Sequence, residues 1–300
     1  MVKTRRRVLP ILTAIIVALG LSFFGIISGF FNFSTAFIPE GQGTLDPLIG
    51  LLNALILIII AALGGVIIYL LLKHNKEKFL NYFFFISFIF MGSFMIFLFG
   101  IGLLYYFMMS DLISLIVVIV SSFFTGTLLA LVVFYERFNK NNIIKNTALI
   151  IYGALIGSFL GLVLPTWTSL LLLIGLSIYD IFAVFKGPIK KIIELNENRG
   201  AKFLEVSYSS HDFEIGLGDL TFYSMATCIT LKIGFETTFI SEHGLFMMIL
   251  PCLVCIGGII GGVLITFKLL EKKELLPGLP IAISLGLGLM GIVVLVLWIL

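Results

Sequence analysis

The sequence predicts an all-α polytopic membrane protein of nine transmembrane helices, with its N-terminus in the cytoplasm and its C-terminus outside. Three observations predict it. Only 12% of residues are charged and 60% are hydrophobic, with 30 Phe in 300 residues, whereas a soluble domain carries about 25% charged residues. Apolar runs long enough to cross a bilayer as a helix, about 20 residues, recur from end to end. Lys and Arg collect in alternate connections, as they do on the cytoplasmic side of membrane proteins. The formal net charge of +3 is small and dispersed, which argues against a basic nucleic-acid footprint.

The spans fall in order at 8–31, 48–72, 79–108, 112–135, 143–163, 166–186, 215–235, 244–268 and 279–300. The first follows Lys3, Arg5, Arg6 and Arg7. Its apolar run exceeds the about 7–15 residues of a signal-peptide core and no small-x-small cleavage site follows, so it reads as an uncleaved helix. Span two runs from a loop at 32–47 whose charges are Glu40 and Asp46 to a turn with Lys73, Lys76 and Lys78. Span three is rich in aromatic rings, Phe83, Phe84, Phe85, Phe88 and Phe90, which read as lipid-facing bulk. Span four lies between Asp111 and the basic turn of Arg137, Lys140 and Lys145. Span five repeats Gly153, Gly157 and Gly161, and span eight carries Gly257, Gly258, Gly261 and Gly262. Small residues at spacings of four allow close helix packing.

Spans six and seven flank a basic segment with Lys186, Lys190, Lys191, Arg199 and Lys202, and Lys272 and Lys273 return the chain to the same side before span nine. Lys232, near the outer end of span seven, is the exception to the pattern. The whole chain, 1–300, reads as a single membrane domain. Residues 1–163 hold five scaffold helices, and 164–300 hold helices six to nine with a cytoplasmic loop at 187–214. Cys228, Cys252 and Cys255 lie in apolar helices without a second Cys pair or a His cluster, so they read as packing residues rather than a metal or redox site.

Two aspartates stand out. Asp180 is the only charged residue between Lys145 and Lys186, and Asp219 opens an uncharged run that lasts until Lys232. An ionisable group at membrane depth costs on the order of 2.5–3.5 kcal/mol and reads by default as functional. Asp180 precedes Lys186 by six residues and Asp219 follows Glu214 by five. At about 1.5 Å per residue these offsets place the carboxyls about 9 Å and about 7 Å from the cytoplasmic ends of their helices. Facing helices would let them meet.

Their neighbours sharpen the picture. Tyr179 directly precedes Asp180, and Gly216-Leu217-Gly218 precede Asp219. Glycines before a carboxylate permit unusual backbone angles and close approach of another chain. Pro277-Gly278-Leu279-Pro280 opens span nine, where two prolines remove backbone donors and interrupt helix. Tyr-Asp, Gly-Leu-Gly-Asp and Pro-x-Leu, in this order within nine spans, closely resemble the presenilin and signal peptide peptidase family of intramembrane aspartyl proteases, and in particular its compact microbial members. The motifs lie within about 166–300, while spans one to five resemble the family only in number and orientation.

The resemblance implies an intramembrane-cleaving aspartyl endopeptidase with Asp180 and Asp219 as the catalytic pair. Tyr179, Gly216, Leu217, Gly218, Pro277, Gly278, Leu279 and Pro280 would line the substrate site. It further implies transmembrane or signal-peptide substrates within a lipid bilayer, a microbial cell membrane, no cofactor or metal, and no obligatory partner subunit. The family element is usually Pro-Ala-Leu, and here Gly278 replaces the alanine. The chemistry suits the pair, because two like charges a few Å apart cannot both ionise and therefore share a proton. Two alternatives stay open: a secondary transporter or channel with intramembrane carboxylates, and a prepilin or preflagellin peptidase with a Gly-x-Gly-Asp-like element. His211 and Asp212 read as solvated loop residues. Alternation over 203–208 and 212–215 predicts short strands, formed either in the chain alone or only once substrate is bound, with an unwound substrate pairing to an exposed edge by strand addition.

Overall fold

The structure, a computed structural model, describes residues 2–29, 36–41, 44–108, 111–134, 142–187, 207–210, 213–236, 244–270 and 276–299. Among these are nine α-helices: α1 (Val2–Ser28), α2 (Asp46–Lys73), α3 (Glu77–Tyr106), α4 (Leu112–Phe134), α5 (Asn142–Val163), α6 (Thr166–Phe185), α7 (Leu217–Glu236), α8 (Leu245–Leu270) and α9 (Leu279–Ile299). Two strands, β1 (Ser207–Ser210) and β2 (Phe213–Gly216), pair antiparallel between α6 and α7. Eight helices are long and apolar enough to cross a membrane. The exception is α7, which carries Asp219, Lys232 and a series of hydroxyl residues.

The polarity of α7 goes with its place at the centre. It packs against α1, α5, α6, α8 and α9, and its Thr221, Ser224, Thr227 and Thr230 are buried. The hydroxyls of Thr221, Thr227 and Thr230 donate to backbone carbonyls one turn back, at 2.9, 2.8 and 3.0 Å. A helix wrapped by protein needs no apolar face for lipid, and polar side chains satisfied on their own helix can be buried there.

Close helix contact rests on glycine where neighbouring backbones meet. A Cβ at Gly157 would lie 2.3 Å from the Thr221 carbonyl oxygen, and one at Gly153 or Gly161 would lie 2.8 Å from Leu220 Cβ or 2.7 Å from Cys228 Cβ, so α5 seats directly on α7. In α8, Gly258 and Gly262 meet Gly286 and Ala282 of α9. Gly257 and Gly261 correct the sequence expectation, since a Cβ at either would meet nothing within 4 Å. Their 100° offset on the helix turns them away from α9. The aromatic reading of span three also divides. Phe83 and Phe90 are exposed, but Phe88 packs at 5.0 Å on Phe134 and 4.8 Å on Tyr152, ring centroid to centroid.

The outlier Lys232 has a structural explanation. Its Nζ donates to the Leu162 and Leu164 carbonyls at 3.1 and 3.3 Å, and the last carbonyls of a helix lack intrahelical partners and carry partial negative charge. At the start of α6 the complement occurs. A Glu40 carboxylate oxygen accepts from the Thr168 N–H at 2.9 Å and from its hydroxyl, in the first turn where amides are unpaired. These contacts pin the connection between α5 and α6, the helix that carries Asp180.

Candidate active site

The site is built from three chain segments. Asp180 lies in the last turns of α6, five residues before its end at Phe185. Asp219 is the third residue of α7, and the helix starts there because β2 runs directly into it at Gly216–Leu217. Residues 215 and 216, which the hydropathy pattern assigns to span seven, therefore belong to the strand. Pro277 and Pro280 bracket the third segment. Proline fits in a first helical turn because its missing N–H is unneeded there, so α9 begins at Leu279.

The Gly278–Leu279 dipeptide touches both carboxyls. The Leu279 N–H donates to Asp180 Oδ2 at 3.3 Å; this amide is one of the unpaired donors of the α9 N-terminus, where the helix dipole favours an anion. Gly278 packs against the other carboxyl so closely that a Cβ would stand 2.8 Å from Asp219 Oδ2 and 3.0 Å from its Cγ. The two aspartates are near enough to interact electrostatically, and both are half-buried. Asp219 also opens on a cavity of about 90 Å³ whose lining includes Glu214, Tyr223 and Gly278 together with apolar Ile11, Val263 and Phe267. Water occupies about 30 Å³ per molecule in the liquid, so more than one water fits beside the carboxyl.

The remaining predicted residues fall around this centre. Pro277 and Leu279 are buried, and Tyr179 and Pro280 are half-buried, with Tyr179 beside Asp180. Leu217 packs with Val133, Ala148 and Leu149 and anchors the start of α7. Gly216 and Gly218 are exposed and neither has positive φ. A Cβ at Gly216 would meet nothing nearer than Asp219 Oδ2 at 3.7 Å, and one at Gly218 nothing nearer than Phe222 at 3.9 Å. The unusual backbone angles expected of this pair are therefore absent, and the glycines instead leave bare backbone beside Asp219. His211, Asp212 and 188–206 lie outside the described residues.

Sequence reasoning passes over Tyr223. It stands four residues after Asp219, on the same helical face, is 3% exposed, and donates its hydroxyl to the Gly278 carbonyl at 3.0 Å. The i+4 spacing was the available signal. A hairpin forms here at 207–210 and 213–216, sharing residues 207–208 and 213–215 with the predicted strands, while 203–206 and 212 lie outside the described residues; Ser207 stands opposite Gly216 and Ser210 opposite Phe213. Tyr208 of β1 packs on the core, and burial pushes its phenol above the usual range.

These features define an all-helical integral membrane protein with a carboxyl pair gathered by one helix start near one end of the bundle. A model of the presenilin family matches residues 39–215, more than half of the chain, and the chain belongs to that family. The match takes in Asp180 and ends before Gly216, and it covers spans two to six, most of which lack legible motifs. Presenilin-B of Dictyostelium discoideum is 33% identical over 135 residues, 41% of this chain and 25% of that protein, so the match spans about a quarter of that relative's length. A presenilin family intramembrane aspartate protease solved in space group C222 superposes with a TM-score of 0.61 at 18% identity, covering 96% of this chain and 99% of that one. A P2 crystal form gives 0.53 at 18% identity, with 97% and 96% covered. The chain has the presenilin-family fold.

Proposed function

We propose that the chain is an intramembrane aspartic endopeptidase in which Asp180 and Asp219 activate water to cut a transmembrane segment. The observation that carries this reading is the contact of one dipeptide, Gly278–Leu279, with both carboxyls. A secondary transporter would favour acids at mid-membrane between repeats, whereas Asp180 is near the end of α6 and Asp219 is in the first turn of α7.

In this mechanism one carboxyl is ionised and the other protonated, as for a pair of close like charges. The ionised partner takes a proton from water, whose oxygen attacks the scissile carbonyl carbon, while the protonated partner donates to the carbonyl oxygen. Collapse of the resulting diol breaks the C–N bond as the amine nitrogen receives a proton. The products are a carboxylate and an amine. The cavity beside Asp219 supplies the water.

Substrate must be unwound before its peptide bonds are accessible, because a helix pairs its own backbone groups. Among the described residues, β1 is the only strand beside β2, which leaves β2 a second edge leading straight to Asp219. An extended substrate adds there as a strand, past the bare backbone of Gly216 and Gly218. The same reading assigns the N-terminus to the cytoplasm, requires no partner subunit, and takes transmembrane or signal-peptide segments as substrates.

The test is cleavage of generic membrane-helix peptides by protein purified into liposomes, with and without an aspartyl-protease transition-state analogue. Asp180→Asn and Asp219→Asn should each abolish cleavage while the protein stays folded, and the double variant should be no worse than either, as for residues acting as a unit. Robust cleavage by either single variant, with contaminating protease excluded, would end the reading.

A further inference from the structure

We propose that Tyr223 is a positioning residue that aims a single backbone peptide at the carboxyl pair. The inference rests on the Asp180/Asp219 reading above and adds a residue to it. The chain of contacts is short. The Tyr223 hydroxyl donates to the Gly278 carbonyl at 3.0 Å, and that carbonyl belongs to the same peptide unit as the Leu279 N–H, which donates to Asp180 Oδ2 at 3.3 Å.

A trans peptide is planar, with its C=O and N–H pointing in opposite directions. Fixing the oxygen at one end therefore fixes the direction of the hydrogen at the other. Without the hydroxyl the unit could rotate about its flanking bonds, and Gly278, lacking a side chain, resists such rotation least. Tyr223 thus ties α7, which bears Asp219, to α6, which bears Asp180, through one peptide of α9. Hydrogen bonds in series also polarise one another, so the Leu279 N–H is a better donor to Asp180 while Tyr223 holds the carbonyl.

Position supports the assignment. Tyr223 is 3% exposed, so its ring is fixed by packing. It lies on the same face of α7 as Asp219 and lines the same cavity, and it interacts electrostatically with both aspartates. A tyrosine used only for packing would need a hydrogen-bond partner, but not one on the peptide that contacts Asp180.

Tyr223→Phe keeps the ring and removes the donor. In liposomes, with a cleavable membrane-helix peptide, kcat should fall about tenfold with KM unchanged, the scale of one lost hydrogen bond. Affinity for a hydroxyl-bearing transition-state analogue should fall by the same factor, while affinity for an uncleavable helix peptide stays at the wild-type level. In an Asp180→Asn background, Tyr223→Phe should cost no further analogue affinity, because the group it acts through is already changed. Wild-type kcat and analogue affinity in Tyr223→Phe would overturn the proposal. So would an equal loss of analogue affinity in the Asp180→Asn background, or a variant that no longer folds, since each makes Tyr223 a packing residue. A wild-type protein that neither cleaves nor binds the analogue would instead sink the dyad reading, and this proposal with it.

Discussion

Gly278→Ala is the most informative substitution, because it restores the residue usual at this position of the resembled family and should still be harmful here. Gly278 does not have positive φ, so an alanine meets no backbone strain. Its methyl group would nevertheless stand 2.8 Å from Asp219 Oδ2 and 3.0 Å from Cγ and Oδ1. Ordinary contact begins at 3.4 Å, so the carboxyl must retreat by 3.4 − 2.8 = 0.6 Å. The moving atoms are the free end of a side chain, and folding stability should change by less than about 1 kcal/mol. The same atoms are the proposed reacting group, where a displacement of about 1 Å costs about 10²-fold. For 0.6 Å the expected loss in kcat is therefore about tenfold, or about 1.4 kcal/mol of barrier. Initial rates on a fluorogenic membrane-helix peptide, fitted for kcat and KM, measure it. Gly288→Ala, in α9 just beyond this element with nothing within 4 Å of its Cβ, is the control. Wild-type kcat in Gly278→Ala would refute the claim that Asp219 acts from its position against this element.

Lys232→Met should lower thermal stability in detergent by about 1–3 kcal/mol, because the Leu162 and Leu164 carbonyls lose their donor; an unchanged melting transition would contradict the capping role. Proline at Glu214 and, separately, at Ile215 should each depress cleavage, one by breaking the pairing with β1 and the other by removing an outward amide of β2, since amides alternate between the two edges; wild-type rates in both would end strand addition. Single-cysteine labelling in intact cells should place residue 195 in the cytoplasm and a tag after Leu300 outside, and finding both on one side would overturn the proposed orientation.

Much of this architecture was legible because a bilayer leaves few options. An apolar run of about 20 residues has to be a helix, and the observed ends of α5, α6, α8 and α9 lie within a few residues of those read from hydropathy. At the start of α7 two patterns compete for Ile215, which continues the hydrophobic run of span seven and also ends the alternation over 212–215; its pairing with Tyr208 across the ladder decides for the strand. Glycine spacing marked α5 and α8 for close packing without naming the partner helix, and could not separate Gly258 and Gly262 from Gly257 and Gly261, because both pairs repeat every four residues and only the neighbouring helix distinguishes their faces. Lys232 stands out as an exception to the charge pattern because its two hydrogen-bond acceptors are backbone carbonyls, which no side-chain pattern reveals, although its ion pair with Glu236 has the legible i,i+4 spacing. Tyr223 was hidden for the same reason, since its partner is the carbonyl of Gly278. Asp180 and Asp219 were easy to find because charge in an apolar run needs no partner to be conspicuous.

Four ionisable side chains share one device. Glu40 meets the first turn of α6, Lys232 the last carbonyls of α5, Asp180 the first amide of α9, and Asp219 stands in the first turn of its own helix. Each sign matches the helix end it meets, negative at an N-terminus and positive at a C-terminus. A buried salt bridge could also have accommodated these charges, but its desolvation cost is high and removal of either partner leaves the other stranded. A helix end offers donors or acceptors that need partners in any case, so the charge leans on backbone groups, joined at Lys232 by the Glu236 carboxylate at 3.8 Å. For Lys232 and Glu40 the result is a fixed connection between helices. For the two aspartates it matters more, because a carboxylate held by backbone amides retains lone pairs for water and substrate, whereas one clasped by Arg or Lys would be committed to its partner. Among the described residues neither aspartate has a basic partner within salt-bridge distance, and under the proposed mechanism this leaves the pair able to exchange a proton.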